Sequence, residues 1–378
     1  MSFDVGFLVQ YKEFFVTILA FLLGVLFSYV WFLGKRRKDD LDKKKIESYV
    51  KGLNYIIEDE TDKAIEEFTE TAKFDPDLID IYISIGNLFR KKGEINRALI
   101  IHKSLLVRPH LTKQKKLEIY INIGVDYRKA GLYDRAKEYF KNALSIDPKN
   151  IKAKKLLYEV YEDSRDWENA LVWHKRFSKK DDAILAHIYT EIGKEKLKER
   201  DFDQAKKNFE KALKINKSCV DAQIHLGDIF IQYGEIDKAY KQWTNACIIK
   251  PELSNIALSK IQDIDILKKT MIELLKNHKD NKYILYSCAN QFFSLGEKEK
   301  AISIYKKLMN MGIKSQSMLK KFVEYKQDTL PNFVVKFVSE MPNESIKYIC
   351  TGCGYASHSP FFRCPKCRQW DSAKVEIV

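Results

Sequence analysis

The sequence predicts an all-α fold in which two-helix repeats stack into a solenoid, with an apolar helix before them and a small four-cysteine domain after them. Three observations support this prediction. Small and aromatic residues recur every 34 residues or so, an uncharged apolar run lies near the first residue, and two C-x-x-C pairs lie near the last. Glycine and proline are few, 15 and 8 among 378 residues, which suits helices and disfavours a β-sandwich.

The clearest repeat runs from Tyr120 to Pro148 and has the pattern of a tetratricopeptide repeat (TPR). Its pattern residues are Tyr120, Ile123, Gly124, Tyr127, Ala136, Phe140, Ala143 and Pro148. Gly124 and Ala136 are small where the two helices of such a unit, A and B, cross closely. Tyr127 and Phe140 fill the groove beside the crossing. Pro148 ends helix B because proline cannot continue a helix.

The small residue equivalent to Ala136 recurs along the chain. It is found at Ala64, Ala98, Ala136, Ala170, Ala205, Ala239 and Ala301, and neighbours among the first six are 34 to 38 residues apart. The interval of 62 residues before Ala301 predicts a degenerate repeat over 254–282. We therefore expect seven or eight repeats over 46–312, the fourth weak because Tyr158 replaces the usual glycine. A helical cap or connector broken by Pro331 and Pro342 is expected over 313–345.

The apolar run covers 14–34, 21 residues without a charge. At about 1.5 Å per residue, a helix of this length crosses a hydrocarbon layer of about 30 Å. A cleaved signal peptide is the alternative. It is disfavoured by Asp4 in the leading segment and by bulky residues where a cleavage site needs small ones. Lys35 to Lys38 follow the run, so the positive-inside rule places 1–13 outside the cell membrane. A charged linker (35–45) and everything after it are then cytoplasmic.

Cysteines near the last residue provide the one pattern with metal chemistry. Cys350, Cys353, Cys364 and Cys367 form two C-x-x-C knuckles separated by ten residues. A two-residue spacer lets both sulfurs of a knuckle point at one ion, so four thiolates can surround a tetrahedral metal. Zinc and iron both suit this ligand set, and the sequence does not choose between them. Two disulfides are the alternative, which a cytoplasmic location disfavours.

The segment carrying these cysteines, 346–378, is too short to bury a self-sufficient core. A structural ion contributes an apparent 10–16 kcal/mol or so in small domains, enough to decide whether such a segment folds. Flanking cations that would offset the negative charge of the thiolates are Lys347, Arg363, Lys366 and Arg368. Aromatic residues available to shield the metal site and dock it on the repeats are Phe361, Phe362 and Trp370.

Other residues with chemical potential are interpreted as structural. His102 and His174 occupy the repeat position of Phe140, which indicates packing rather than ligation. Cys219, Cys247 and Cys288 are single and scattered, as small buried hydrophobic residues are. Because the sequence has no phosphate-binding glycine loop, G-x-S-x-G or H-E-x-x-H motif, we expect neither an enzyme nor a small-molecule substrate.

The net charge of +14 comes mainly from lysines spread over helix faces. Solvated helix surfaces therefore explain it better than nucleic-acid binding, and we expect no nucleic-acid partner. A basic surface beside an anionic membrane leaflet is also electrostatically favourable. The concave face of a TPR solenoid typically binds peptides or protein segments.

An anchor, repeats and a four-cysteine ribbon in this order resemble the lipopolysaccharide assembly protein B family of Gram-negative bacteria. Local stretches with the same resemblance are Gly86 to Arg90 running to Ala98, Gly131 to Ala136, and Cys364 to Arg368 with Trp370. The resemblance covers essentially the whole chain and implies a rubredoxin-like last domain, with metal ligands at Cys350, Cys353, Cys364 and Cys367. The tail before the anchor is longer than is usual in the family, and the middle repeats diverge.

The resemblance also implies a function. The family is held to be a single-pass inner-membrane adaptor with a periplasmic amino terminus and cytoplasmic TPR and metal domains. It promotes proteolysis of LpxC, the deacetylase that commits material to lipid A, by the membrane-anchored protease FtsH, and gathers other proteins of lipopolysaccharide assembly. Two other functions remain open: a rubredoxin-like redox protein using iron, and a general TPR scaffold for protein–protein interaction.

Overall fold

In a computed structural model, residues 5–74, 78–178, 183–341 and 346–377 are described. Pro342, which we predicted to break the connector, lies outside these ranges, and so does Pro76. The chain forms two compact units, Met1–Arg165 and Asp166–Val378.

The first unit consists of seven helices within the described residues: α1 (Val5–Ile57), α2 (Thr61–Phe74), α3 (Ile79–Lys92), α4 (Ile95–Leu105), α5 (Lys113–Lys129), α6 (Tyr133–Ile146) and α7 (Ile151–Asp163). Helix α1 contains a candidate membrane span, Val16–Arg36, with a mean hydropathy of 2.3 and none of it buried. A signal sequence would meet the same criteria of length and composition. Segment 35–45, expected to be a linker, is helical and continuous with the span, because no proline precedes Pro76.

The second unit begins with α8 (Trp167–His174), α9 (Ala183–Lys198), α10 (Phe202–Ile215), α11 (Val220–Gln232) and α12 (Ile236–Ile249). It continues with a 3-10 turn (Pro251–Leu253), α13 (Ser254–Leu258), α14 (Ile264–Asn277), α15 (Lys282–Ser294) and α16 (Lys298–Asn310). Then follow α17 (Gln316–Lys326), a second 3-10 turn (Gln327–Thr329) and α18 (Asn332–Ser339). Three strands end the chain: β1 (Ile346–Cys350), β2 (Ala356–Ser357) and β3 (Ala373–Ile377). The predicted all-α TPR fold is confirmed. The segment expected to hold a degenerate repeat contains α13, of five residues, and α14, of 14 residues.

One packing relationship recurs where helices A and B of a repeat cross. A Cβ atom placed on Gly124 in α5 would lie 2.5 Å from the ring of Phe140 in α6, so only glycine fits there. The same contact is made between Gly86 and His102, where the added Cβ would lie 2.3 Å from the imidazole. His102 therefore takes the place of an aromatic ring, as predicted.

In six repeats the turn between helices A and B contains a residue with a positive φ angle, whereas the turn between α13 and α14 contains none. Glycine fills this position at Gly93, Gly131, Gly234 and Gly296, and Asp59 and Arg200 fill it in the other two. A left-handed residue reverses the chain in few residues, which keeps the two helices antiparallel and in contact. The tight turn is thus retained even in repeats without the glycine.

Residues 346–377, termed the ribbon below, form an antiparallel sheet with strand order β2-β1-β3. Tyr348 of β1 pairs with Val375 of β3, and both side chains are buried in the continuous hydrophobic core of α9 to α16. The ribbon is therefore packed into the second unit.

Candidate metal centre

The four cysteines lie on two turns with the same backbone geometry. The amide of Gly354 donates a hydrogen bond to the carbonyl of Cys350 at 2.9 Å, and the amide of Arg368 donates to the carbonyl of Cys364 at 2.9 Å. Gly354 and Arg368 both adopt left-handed conformations, with φ angles of 70° and 65°. Glycine accepts this conformation freely, whereas arginine is strained by it.

The sulfur atoms of all four cysteines lie within 4.8 Å of one another. Cys350 Sγ is 3.5 Å from Cys367 Sγ, and Cys353 Sγ is 3.7 Å from Cys364 Sγ. These separations far exceed a disulfide bond of about 2.05 Å. They are close to the roughly 3.8 Å expected between sulfurs that each lie about 2.3 Å from a tetrahedral ion. The donor set and its spacing fit a single metal ion.

The electrostatics of the cluster also favour a cation. A hydrogen bond with Ser372, whose Oγ is 3.2 Å from Cys350 Sγ, lowers the pKa of the Cys350 thiol to about 6. Although a backbone hydrogen bond from Gln369 favours the thiolate of Cys367, the three neighbouring sulfurs raise its pKa to about 12. Four thiolates at this spacing repel one another, so all four ionise together only around a positive charge.

Trp370 and Asp371 of the ribbon are held by His187 of α9 and by Lys250, which follows α12. His187 Nε2 donates a hydrogen bond of 2.6 Å to Asp371 Oδ2. The indole of Trp370 stacks on the imidazole of His187, with 4.6 Å between ring centroids and 10° between ring planes. Lys250 at the end of α12 is 3.8 Å from the other oxygen of Asp371. The loop that follows the second knuckle is therefore held by an ion pair and a ring stack together.

The ion pair changes the titration of both partners. Burial by itself lowers the pKa of His187, but the hydrogen bonds and charge interactions with Asp371 and Cys219 together outweigh it and raise the pKa to about 10. Burial raises the pKa of Asp371, yet the hydrogen bond to His187 and the charges of His187 and Lys250 together bring it below its ordinary value. Both groups are therefore charged at neutral pH, and each compensates the desolvation of the other.

The aromatic residues predicted to dock the ribbon do so. Trp370 also lies near Trp167, with 6.2 Å between the ring centroids. Phe361 and Phe362 pack against the core of the second unit. Of the cations predicted to offset the thiolates, Arg363 lies over the Trp370 ring at 5.7 Å. Its guanidinium group thus supports the docking tryptophan.

Residues away from the ribbon agree with their structural interpretation. Cys219, Cys247 and Cys288 are buried free thiols, and burial raises the pKa of Cys247 to about 12. His174 is buried, with its ring 5.1 Å from that of Phe177. His102 has a role beyond packing, because its Nδ1 is 2.5 Å from the buried carboxylate of Asp126. Arg90 donates to the other oxygen of that carboxylate at 2.6 Å.

Sequence reasoning missed His187 and Asp371. Asp371 directly follows Trp370, which we had predicted to dock the ribbon from its position near the cysteines. A charged residue next to a docking residue is a signal that could have identified Asp371. His187 has no such mark. It lies on helix A of the fifth repeat at a position without a pattern residue, and only the fold brings it to the ribbon. Tyr283, whose hydroxyl donates to the carbonyl of Val375 at 2.9 Å, was missed for the same reason.

Known families match parts of the repeats and the ribbon separately. Residues 117–150 and 196–242 match tetratricopeptide repeat families, and residues 348–374 match a rubredoxin metal binding domain. Among solved structures, YrrB, described as a TPR protein with an unusual peptide-binding site, is 22% identical. It aligns over 52% of this chain and 98% of its own, with a TM-score of 0.37.

Curated relatives match over nearly their full length. Lipopolysaccharide assembly protein B of Haemophilus influenzae is 26% identical, with 95% of this chain and 98% of that protein covered. The protein of the same name from Escherichia coli K12 is 25% identical, with the same coverage of both chains. With its repeats and its rubredoxin-like ribbon matched as well, the chain belongs to the lipopolysaccharide assembly protein B family.

Proposed function

We propose that this protein is a membrane-anchored scaffold for lipopolysaccharide assembly and has no catalytic chemistry of its own. The observation that carries the proposal is the extent of similarity to relatives named for that process. It covers 95% of this chain and 98% of each relative. Similarity over nearly the full length of both chains supports a shared order of parts, on which a scaffold depends.

We propose Cys350, Cys353, Cys364 and Cys367 as ligands of one zinc or iron ion. The ion would cross-link the two knuckles and so hold the ribbon in its docked form. The spacing of the sulfurs and the mutual repulsion of their thiolates support this assignment. The ion has a structural role here, because the residues around the cluster are used for docking: Trp370 and Asp371 contact α9, and Tyr348 is in the core.

The anchor in this proposal is Val16–Arg36, which would cross the inner membrane with residues 1–13 in the periplasm. Its side chains are apolar and exposed, as in a helix surrounded by lipid. Lys35 Nζ lies 5.6 Å from the ring of Trp31, and this pairing of a cation with tryptophan is typical of the membrane interface. The repeats and the ribbon would then be cytoplasmic.

The process we assign to the scaffold is turnover of an LpxC-type deacetylase by an FtsH-type membrane protease. A scaffold fixed to the bilayer by α1 would hold its bound protein close to a membrane protease, which raises the effective concentration of one for the other. The repeats supply extended surfaces of the kind that bind protein segments. Other membrane proteins of lipopolysaccharide assembly would be gathered in the same way.

Depletion of the protein in cells tests this proposal. LpxC abundance and lipopolysaccharide content should both rise, and wild-type protein supplied from a plasmid should restore them. A Cys364→Ser variant should restore neither the LpxC abundance nor the lipopolysaccharide content, because its ribbon would lose the metal ion that holds it in the docked form. Unchanged LpxC abundance after depletion would contradict the assigned process, whatever happens to the metal.

Visible absorption spectroscopy of the purified protein decides between a structural and a redox role for the ribbon. Purified protein with bound iron would show a visible absorption band that changes reversibly on reduction. A colourless preparation loaded with zinc that still supports LpxC turnover would exclude electron transfer as the function.

A further inference from the structure

Helix α1 has an apolar face that is largely exposed to solvent, and at its edge the ring of Tyr49 lies 5.7 Å from that of Phe68 in α2. Gly52 and Tyr55 face α2: a Cβ placed on Gly52 would lie 2.8 Å from the ring of Phe68, and Tyr55 packs against the cluster that contains Phe68. On another side of the same helical segment, six apolar side chains are 38% to 82% exposed: Ile46, Tyr49, Val50, Leu53, Ile56 and Ile57. We call these six residues the α1 stripe.

The α1 stripe lies at the open end of the repeat stack. In the second repeat, Ile81 and Ile85 of α3 are buried against Phe68 of α2. The preceding repeat therefore covers one apolar face of this helix A. Among the described residues, no repeat precedes α1. Terminal repeats of soluble solenoids normally have polar outer faces. An apolar face at this position is typical of a surface that another molecule covers.

The stripe continues the heptad register of the candidate membrane span. Ile46, Tyr49, Leu53 and Ile56 follow one another at steps of three, four and three residues. Phe21, Val25, Ser28 and Phe32 do so at steps of four, three and four, and Val25 precedes Ile46 by 21 residues, which is three heptads. Together with Gly24 and Tyr29 they line one groove of the span. Both segments therefore lie on one face of one continuous helix.

We propose that this face is covered by the same face of a second copy of the chain, in a parallel helix pair. Two copies inserted in the same direction carry their α1 helices parallel and their faces at equal depth, so a two-fold axis along the membrane normal makes the faces self-complementary. Gly24 and Ser28 permit close approach within the span. Below the membrane, aliphatic residues at both core positions of the heptad pack as in a coiled coil.

Charged residues occupy the core positions between the two segments, at Lys35, Asp39 and Asp42. Like charges from two copies would meet there, so the helices are in contact in two blocks with a hydrated interval between them. The interval falls where the helix leaves the apolar layer, the level at which water is available. Glu47 and Lys51 lie outside the core positions of the cytosolic block.

The inference rests on the proposed membrane insertion, and cysteine cross-linking tests the two separately. Full-length Leu53→Cys and, as the matched control, Lys51→Cys are expressed in cells, and isolated membranes are treated with a short bismaleimide. Wild-type protein with its seven native cysteines gives the baseline. Leu53→Cys should yield a product of twice the chain mass several-fold above baseline. Lys51→Cys, on a different side of the helix, should stay at baseline.

Each other outcome overturns a definite part of the inference. Equal cross-linking at both positions, or none at either, would show that the stripe is not a self-contact. A Leu53→Cys product of another mass would show that a different protein covers it. Absence of the chain from the membrane fraction would instead contradict the proposed anchor.

A second variant measures the contact without cysteines. Leu53→Glu combined with Ile46→Glu should weaken self-association in detergent by at least about tenfold, because buried apolar contacts are replaced by carboxylates. Both side chains are exposed in the single chain, so its helix content and melting temperature should be unchanged. Lys51→Glu is the control for added charge. Undiminished self-association of the double variant would overturn the proposal.

Discussion

His187 and Asp371 are 184 positions apart in the chain and share a hydrogen bond of 2.6 Å. Trp370 stacks on the same imidazole, so one histidine of α9 holds two consecutive residues of the ribbon. The contact lies four residues after Cys367, the last cysteine of the cluster. Folding of the second knuckle and docking of the ribbon are therefore linked through a very short segment.

The His187–Asp371 pair predicts how docking depends on pH. The pKa of His187 is raised from 6.5 to about 10, so its contribution to stability is complete below about 6.5 and is lost as pH rises towards 10. The pKa of Asp371 is lowered from 3.8, so its contribution is present above that value and is lost as pH falls further. We expect the pair to stabilise docking most between about pH 4 and 6.5 and progressively less up to pH 10.

Thermal unfolding of wild-type protein and of Asp371→Asn, followed at pH 6, 8 and 10, measures this effect. The gap between their melting temperatures should be largest at pH 6 and should narrow towards pH 10. Taking the difference removes the pH dependence of metal binding, which both proteins share. Asp328→Asn, at an exposed position, should show no gap. A gap that widens with pH would contradict the assigned charge states.

The two knuckles predict opposite responses to exchange of their left-handed residues. Gly354→Ala should destabilise the ribbon by about 1 kcal/mol, since a side chain in this conformation costs about 1–2 kcal/mol. Arg368→Gly removes such a cost and should stabilise it by about 0.5–1 kcal/mol, after allowance for the greater freedom of unfolded glycine. Urea unfolding of the metal-loaded protein would measure both. Equal destabilisation by the two substitutions would show that side-chain contacts, not backbone strain, dominate.

Removal of one proposed ligand should release the ribbon without unfolding the repeats. We expect Cys364→Ser to lose bound metal and to make 346–377 sensitive to protease, while helix content stays near that of the wild type. Lys366→Ser, in the same knuckle, changes an exposed side chain and should retain the metal. Metal analysis and limited proteolysis provide the two measurements. A protease-resistant, metal-free ribbon in Cys364→Ser would contradict the proposal that the metal ion cross-links the two knuckles.

The crossing of α5 and α6 predicts a large loss of stability for Phe140→Ala. The ring of Phe140 is fully buried against Gly124, so its removal leaves a cavity and should cost about 3–5 kcal/mol. Lys141→Ala, next to it on the exposed face of α6, should change the free energy of unfolding by less than about 0.5 kcal/mol. Chemical denaturation monitored by circular dichroism would distinguish the two. Comparable losses would indicate that this repeat can repack around the cavity.

Much of the fold was predictable because its signals are local. A repeat places its small and aromatic residues at fixed offsets within about 34 positions, so Gly124 and Phe140 could be paired from spacing alone. The cysteine knuckles are equally local, since two residues separate the members of each pair. The expected linker at 35–45 illustrates the limit of this approach: charge suggested an interruption, but without proline or glycine the helix continued.

Sequence by itself determined the order of the apolar helix, the repeats and the four-cysteine ribbon, because each is specified by residue types a few positions apart. Only the tertiary structure decided that His187 meets Asp371, that His102 pairs with Asp126, and that Tyr348 completes the repeat core. These contacts join residues 24 to 184 positions apart, or join strands to helices, and no local pattern encodes them. The physical reason is that a solenoid sets short-range packing by periodicity, whereas docking of its last domain depends on which surfaces the completed stack brings together.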